Sequence, residues 1–318
     1  MSKNVLLSSR IDGSRDEWWA GLRAPIVVAP MYRVTTARLV LEAGAAGAVA
    51  VLPAHNLASS ADFDSVLFDM ALAIRAFGPG QFAPWGINLI AHASNPRFVD
   101  DLAIVASHRC PLVITSVGSP RPVMEAVRAY GGRVWCDVIS IEHARKAAAA
   151  GVDGLVLVCA GAGGNTGWIN PLAFLKEVRR FYTGVVAVAG AITDGAQAYA
   201  LKLLGADLAY IGTPFIATDE SAAADDYKDA VANGSLDDVI LSKAASGVPA
   251  NLMTASLKRL GLDPADAPSL NVGSWSESAA WSAGHGIASA GQRQSARQLV
   301  EQLIREYAAV SSSVDPVQ

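Results

Sequence analysis

Apolar positions along this chain follow two alternating rhythms. Short β-branched runs recur, each followed by a turn and then by an Ala-rich stretch whose apolar positions repeat at helical spacing. The short runs predict strands over residues 26–30, 48–52, 85–89, 112–115, 133–137, 154–158, 185–189 and 208–211. The stretches between them predict helices, among them 36–42, 123–129, 141–150, 171–181 and 195–204. Eightfold alternation of strand and helix reads as α/β, a (β/α)8 TIM barrel rather than an open doubly wound sheet.

Three stretches fall outside the repeat. Residues 53–70 read as a long connection after the second strand. Residues 219–280 carry no strand signal, and their Asp/Ala-rich and Ser/Trp-rich segments read as a smaller helical cap, or insert, over the barrel mouth. The barrel is then residues 1–218 and 281–308, and residues 309–318 read as a disordered tail.

Composition narrows the class without naming a chemistry. The chain has 318 residues, 52% of them hydrophobic, with a net charge of −4. Its Lys and Arg are scattered rather than striped, which argues against a nucleic-acid or anionic-membrane surface. Cys110, Cys136 and Cys159 have no C-x-x-C spacing, so they suggest neither a disulfide framework nor a metal site. With no signal-peptide core and no long uninterrupted apolar stretch, the expected location is cytoplasmic.

Barrel sites lie at the C-terminal ends of the strands. The residues just past each strand are Met31 and Tyr32, Ala54 and His55, Asn88, Thr115 and Ser116, Asp137, the 159–166 loop, the 190–193 turn and the 212–215 turn. Two of these turns look anion-binding. Gly190 and Ala191 follow the seventh predicted strand, and Gly212 and Thr213 follow the eighth. Small residues let main-chain N–H groups approach a phosphate, and the helix opening near Thr193 or Asp194 is expected to add a favourable dipole. The loop after the sixth strand is glycine-dense, with Ala162, Gly163 and Gly164 at its centre, and would suit main chain lying flat against a planar ligand.

These segments carry a family resemblance. The motifs APM at 29–31, GINL at 86–89, AGAGG at 160–164, AGAITDG at 189–195, GADLAYIGTPFIAT at 205–218, SGVPANL at 246–252 and WSAGHG at 281–286 run in family order. Together they resemble the nitronate monooxygenases, the 2-nitropropane dioxygenase-like flavoproteins. The resemblance implies an FMN cofactor. It places the main chain around Ala29, Pro30 and Met31 against the flavin, with Asn88 bonded to the ring or ribityl chain. Gly163 and Gly164 would line the flavin, and Gly190, Gly212 and Thr213 would hold its phosphate. Residues 282–286 would close over the ring.

One position departs from the pattern. Where the family's glycine loop reads AGGH and its His is the base, this chain has Asn165. An amide cannot accept a proton near neutral pH. His285 and then His55 are the first candidate substitutes, with Tyr32 and Asp137 also at strand ends, whereas His92, His108 and His143 read as surface residues.

Three functions follow as alternatives. The first is an FMN oxidase or monooxygenase acting on a nitronate or related carbanion with O2. The second is an FMN reductase or dehydrogenase using NAD(P)H on an enoyl or acyl-CoA-type substrate. The third is a catalytically silent flavin-binding protein. The expected partner is a small-molecule substrate, with a homodimer as the expected assembly if there is one. No motif for a triphosphate, a zinc site or a serine nucleophile is present.

Overall fold

In the computed structural model, residue 19 and residues 21–78, 80–266 and 280–314 are described. The strands are β1 (Ile26–Val28), β2 (Val49–Pro53), β3 (Trp85–Ile90), β4 (Leu112–Ser116), β5 (Arg133–Val138), β6 (Gly154–Val158), β7 (Gly164–Asn165), β8 (Val185–Ala189), β9 (Leu208–Ile211), β10 (Val239–Ser242) and β11 (Ala250–Met253). Eight of them close a parallel barrel in the order β1-β2-β3-β4-β5-β6-β8-β9. The (β/α)8 architecture expected from the alternation is therefore the one observed.

The helices are α1 (Ala37–Ala46), α2 (Ser60–Arg75), α3 (Phe98–Ser107), α4 (Arg121–Arg128), α5 (Ile141–Ala150), α6 (Pro171–Val178), α7 (Gly195–Leu203), α8 (Thr213–Ile216), α9 (Asp225–Ala232), α10 (Thr254–Leu260) and α11 (Ala296–Val314).

Side chains alternate across each strand, and this alternation builds the site. Val27, Val51, Ile114, Trp135, Val156, Ala187 and Leu208 share a buried cluster inside the barrel. Residues two positions further along the same strands face the same way. The topmost inward layer is thus Asn88, Ser116, Asp137, Val158, Ala189 and Tyr210, all of which line one cavity at the C-terminal mouth. The outward positions pack under the helices in the larger cluster, which includes Ile26, Val28, Ile87, Val113 and Leu155.

The structure differs from the sequence reading in three places. Residues 53–70 are not an irregular connection: a short 3-10 turn at Ala54–Asn56 leads into α2. The Ser59 side chain caps that helix by accepting from the Asp62 amide, and Phe63, Leu67 and Met70 form its buried stripe. The cap is not purely helical. β10 and β11 pair antiparallel, and β7 from the loop after β6 joins them in the order β10-β11-β7. Finally, α11 continues to Val314. Leu299, Val300, Leu303, Ile304 and Tyr307 are buried and Val310 packs on the core, so the apolar stripe carries the helix beyond the expected start of the tail.

Among the described residues no helix is long and apolar enough to cross a membrane, and no cluster of His, Cys, Asp or Glu could hold a metal ion.

Candidate active site

The mouth cavity has a volume of about 1050 Å³ and is lined from nearly every strand end. Its two sides are built differently. On the side of β8 and β9 the wall is main chain. Gly190 sits at φ 131°, a left-handed conformation, and Ala191 follows at φ 57°. A Cβ on Gly190 would lie 3.0 Å from the Ala160 carbonyl. Among the described residues, the amides of Gly190, Ala191, Gly212 and Thr213 meet no acceptor. Exposed amides on two consecutive strand exits are what an anion requires.

The neighbouring helix end offers few open amides. In the first turn of α7, Gly195 N donates to Glu306 Oε2 at 2.9 Å and Gln197 N to Asp194 Oδ1 at 2.7 Å. The Thr193 amide donates to Gln197 Oε1 at 2.7 Å. The candidate cradle therefore rests on the turn amides, not on the α7 terminus.

On the side of β3, β4 and β5 the wall is made of side chains. Asn88 Nδ2 donates to the Ile114 carbonyl at 3.1 Å and to Ser116 Oγ at 2.7 Å. Ser116 Oγ donates to Asp137 Oδ2 at 2.5 Å. Asp137 turns part of its surface to the cavity, but its Oδ1 is shielded from solvent and meets no partner among the described residues; the Tyr210 hydroxyl is in the same state. Burial pushes the Asp137 carboxyl up to about 6, against the lowering effect of the Ser116 hydroxyl. Burial, and then the nearby Asp137 charge, hold the Tyr210 phenol well above its usual range.

The Ala29–Met31 segment is fixed from behind. Ala29 N donates to the Ile211 carbonyl at 2.8 Å and Met31 N to Thr35 Oγ1 at 2.9 Å, while Asn56 Nδ2 donates to the Met31 carbonyl at 3.0 Å. Ala29, Pro30 and Met31 all line the cavity.

Above the cradle runs the chain from Trp281 to Gly286. Gly284 N donates to Thr213 Oγ1 at 2.9 Å, and a Cβ on Gly284 would lie 2.5 Å from the Gly161 carbonyl. Tyr227 anchors this strap, its hydroxyl donating to the Ser282 carbonyl at 2.6 Å and accepting from the Ser282 amide at 3.1 Å.

The candidate bases are separated by this arrangement. Asn165 lies at the cavity wall, exposed, in β7, with its backbone in register with Ala250. Ala162, Gly163 and Gly164 line the cavity beside it, and Asn251 Nδ2 holds the Ala162 carbonyl at 2.7 Å. His55 also lines the cavity, half-buried, 6.2 Å from the Tyr32 ring centroid to centroid. Burial, and then the Arg97 charge, lower its pKa from 6.5. His285 does not reach the site. It is exposed and outside the cavity lining, because its amide bonds the Gly161 carbonyl at 2.9 Å while the flanking Gly284 and Gly286 face inward.

Among the tryptophans, Trp281 lines the cavity and Trp85 does not, Trp168 is 82% exposed, and Trp275 lies outside the described residues.

Tyr210 and Tyr227 were not singled out by sequence reasoning. Tyr210 could have been found by counting inward positions from Leu208, since the last strand residue that faces in belongs to the site as much as the turn beyond it.

The fold and site define a barrel protein with main-chain amides free of acceptors, among the described residues, at its last two barrel-strand exits and polar side chains beside them. The family model for nitronate monooxygenase matches residues 18–306, and the chain belongs to that family. It is 28% identical over 282 residues to a nitronate monooxygenase from Paraburkholderia phytofirmans, covering 77% of each chain. It is also 25% identical over 240 residues to a (3aS,4S,5R,7aS)-5-hydroxy-7a-methyl-1-oxo-octahydro-1H-indene-4-carboxyl-CoA dehydrogenase from Mycobacterium tuberculosis. That match spans 74% of this chain and 65% of the relative, just under two thirds of its length. A solved nitroalkane oxidase from Streptomyces ansochromogenes shares the fold with a TM-score of 0.79 at 24% identity, covering 93% of this chain and 99% of that one.

Proposed function

We propose that this chain is an FMN-dependent oxidoreductase that oxidises a nitronate or related carbanionic small molecule, with O2 as the electron acceptor. The observation that carries this reading is the set of amides of Gly190, Ala191, Gly212 and Thr213, which meet no acceptor among the described residues and face one cavity. They suit the phosphate of a mononucleotide, and the unpartnered Asp137 Oδ1 and Tyr210 hydroxyl suit the polar edge of its ring. FMN held there would supply two-electron redox chemistry between such a substrate and dioxygen.

The residues at the wall favour a substrate that arrives already ionised. Asn165 orients by hydrogen bonding and cannot accept a proton. The only His within the described lining, apart from His92, is His55. Its lowered pKa keeps it neutral at pH 7 but makes it a weak base. A nitronate needs no proton removed, so its oxidation does not depend on the missing base.

A second reading has a specific observation behind it. The cavity extends outward past His92, Ser94 and Arg97 on one side and to Arg33 and Arg259 on the other, at the upper end of ordinary ligand-site volumes. A long thioester with an anionic arm would fit that extension, and the Mycobacterium relative is named for a carboxyl-CoA substrate. This reading makes the chain a reductase or dehydrogenase coupled to NAD(P)H.

Anaerobic mixing separates the two. The FMN-loaded protein should lose its flavin absorbance on addition of ethylnitronate or propionate 3-nitronate. Bleaching by NADH or NADPH, with none by either nitronate, would establish the second reading and sink the first.

A further inference from the structure

Asp137 and Tyr210 stand at inward positions of the topmost barrel layer and open on the same cavity. Among the described residues neither Asp137 Oδ1 nor the Tyr210 hydroxyl has a partner, although both atoms are shielded from solvent and the two groups are close enough for the carboxylate charge to act on the phenol. A buried polar group left without a hydrogen bond is costly. Two of them in one cavity, not bonded to each other, call for an occupant that brings a donor to the carboxylate and an acceptor to the phenol. A planar edge in which N–H alternates with C=O does both.

We infer that Asp137 and Tyr210 form the floor for the imide-like edge of the bound flavin, and that Asp137 takes up one proton from solvent each time that ring gains two electrons. The inference rests on the FMN reading above and concerns what this chain does once that cofactor is bound.

The groups around Asp137 leave it as the one site of charge change. From β4, Ser116 donates to Oδ2, and from β3, Asn88 donates to Ser116, so this carboxylate oxygen is held in a fixed chain. From β6 and β8 come only the apolar Val158 and Ala189. On its own strand, burial pushes the Cys136 thiol up to about 11. From β9, Tyr210 stays protonated well above neutral pH. Among the described residues no ion pair engages Asp137. With burial holding its carboxyl at about 6, a second negative charge arriving at the facing edge makes ionised Asp137 too costly just above that pH. The balance is simple. Two electrons come from the reductant, the proton for Asp137 comes from solvent, and the only bond formed to the protein is the O–H of the Asp137 carboxyl.

The test is the pH dependence of the midpoint potential of the FMN-loaded protein. Each proton taken up per two electrons contributes about 30 mV per pH unit. From about pH 6 upward, the wild type should show a slope steeper than that of Asp137→Asn by one such increment, until the carboxyl no longer protonates on reduction.

Tyr210→Phe should weaken FMN binding, read by quenching of flavin fluorescence, yet keep the steep slope. If Asp137→Asn holds no FMN, Ser116→Ala carries the test: loss of the donated hydroxyl should shift the steep region to higher pH. Equal slopes in wild type and Asp137→Asn, or an unmoved steep region in Ser116→Ala, overturn this inference alone. Wild-type protein that takes up no FMN overturns the functional reading and this inference with it.

Discussion

The two sides of the barrel mouth solve the same problem with different materials. Around β8 and β9 the wall is bare main chain, shaped by Gly190 in its left-handed conformation and by the turn at Gly212. Around β3, β4 and β5 it is a chain of side chains, Asn88 to Ser116 to Asp137. Main-chain amides have a fixed charge pattern at every pH, so that side can hold an anion whatever the conditions. The side-chain wall contains a titratable carboxyl, so its charge depends on pH and on what lies against it. On the proposed reading one side anchors and the other responds. Substitutions on the first should therefore act on binding, and those on the second on protonation.

The sharpest way to break that division is Gly212→Asp. The backbone there is at φ −118°, and the nearest atoms a Cβ would meet are Met31 Sδ at 3.4 Å and the Ala29 Cβ at 3.5 Å, ordinary contacts, so the fold accommodates a side chain. A carboxylate beside a bound phosphate costs about 4 kcal/mol at the effective dielectric of a partly buried site, on the order of a thousandfold in affinity. We expect FMN binding, measured by fluorescence quenching, to fall by about that factor while the melting temperature of the apoprotein stays near wild type. Retained stoichiometric FMN would show that the phosphate is held elsewhere.

On the responsive side, Asp137→Asn tests the carboxyl without any ligand. Its folded value of about 6 lies above the ordinary 3.8, so the native state binds more protons than the unfolded one between those limits. Stability from this group is therefore present at low pH and lost as pH rises from 3.8 to about 6. At 1.36 kcal/mol per pH unit, the loss at neutral pH amounts to at most about 3 kcal/mol. Asp137→Asn should recover much of it at pH 7 and gain little at pH 4, as read by urea unfolding at both. An equal effect at the two pH values would mean that the carboxyl is not titrating.

How much of this was legible beforehand follows the same division. Strand positions could be read because both faces of a parallel barrel are buried, which leaves β-branched runs such as 154–158 and 185–189. The glycines of the β8 and β9 turns could be read because glycine marks where main chain comes close to its surroundings. α2 was missed because its buried stripe is only Phe63, Leu67 and Met70 amid exposed residues. β10 and β11 were missed because their pairing with β7 is a tertiary event, and residues 239–242 show no clean alternation of burial. Asp137 was named as a strand-end residue, but its unmet oxygen depends on which strands face it. Motif position alone points to His285 as a substitute base, but the residue is exposed and outside the cavity lining.

Asn165 belongs to neither wall, and Asn165→His sharpens what the comparison leaves between them. An imidazole at this exposed cavity position would supply a proton acceptor where only an amide stands. A well-placed general base contributes typically 10²-fold or more, so turnover of a neutral nitroalkane should rise by roughly that factor, with oxidation of its preformed nitronate little changed. Activity on both forms should be followed by oxygen consumption. If the neutral substrate shows no gain, position 165 does not face the reacting carbon.

The smallest effect is expected at the strap. Tyr227→Phe removes the hydroxyl that bonds both the amide and the carbonyl of Ser282. The ring stays stacked on Trp281, with centroids 5.1 Å apart and planes 5° from parallel, so packing should survive. The loss of a buried hydrogen bond to backbone is about 1 kcal/mol, or roughly fivefold in an equilibrium constant. Because the strap rests on Thr213 at the anchoring wall through Gly284, this loss should appear as faster FMN release in stopped-flow displacement, with the pH dependence of the potential unchanged. A changed pH dependence in Tyr227→Phe would mean that the two walls are coupled through the strap, and the separation between anchoring and responding sides would then fail.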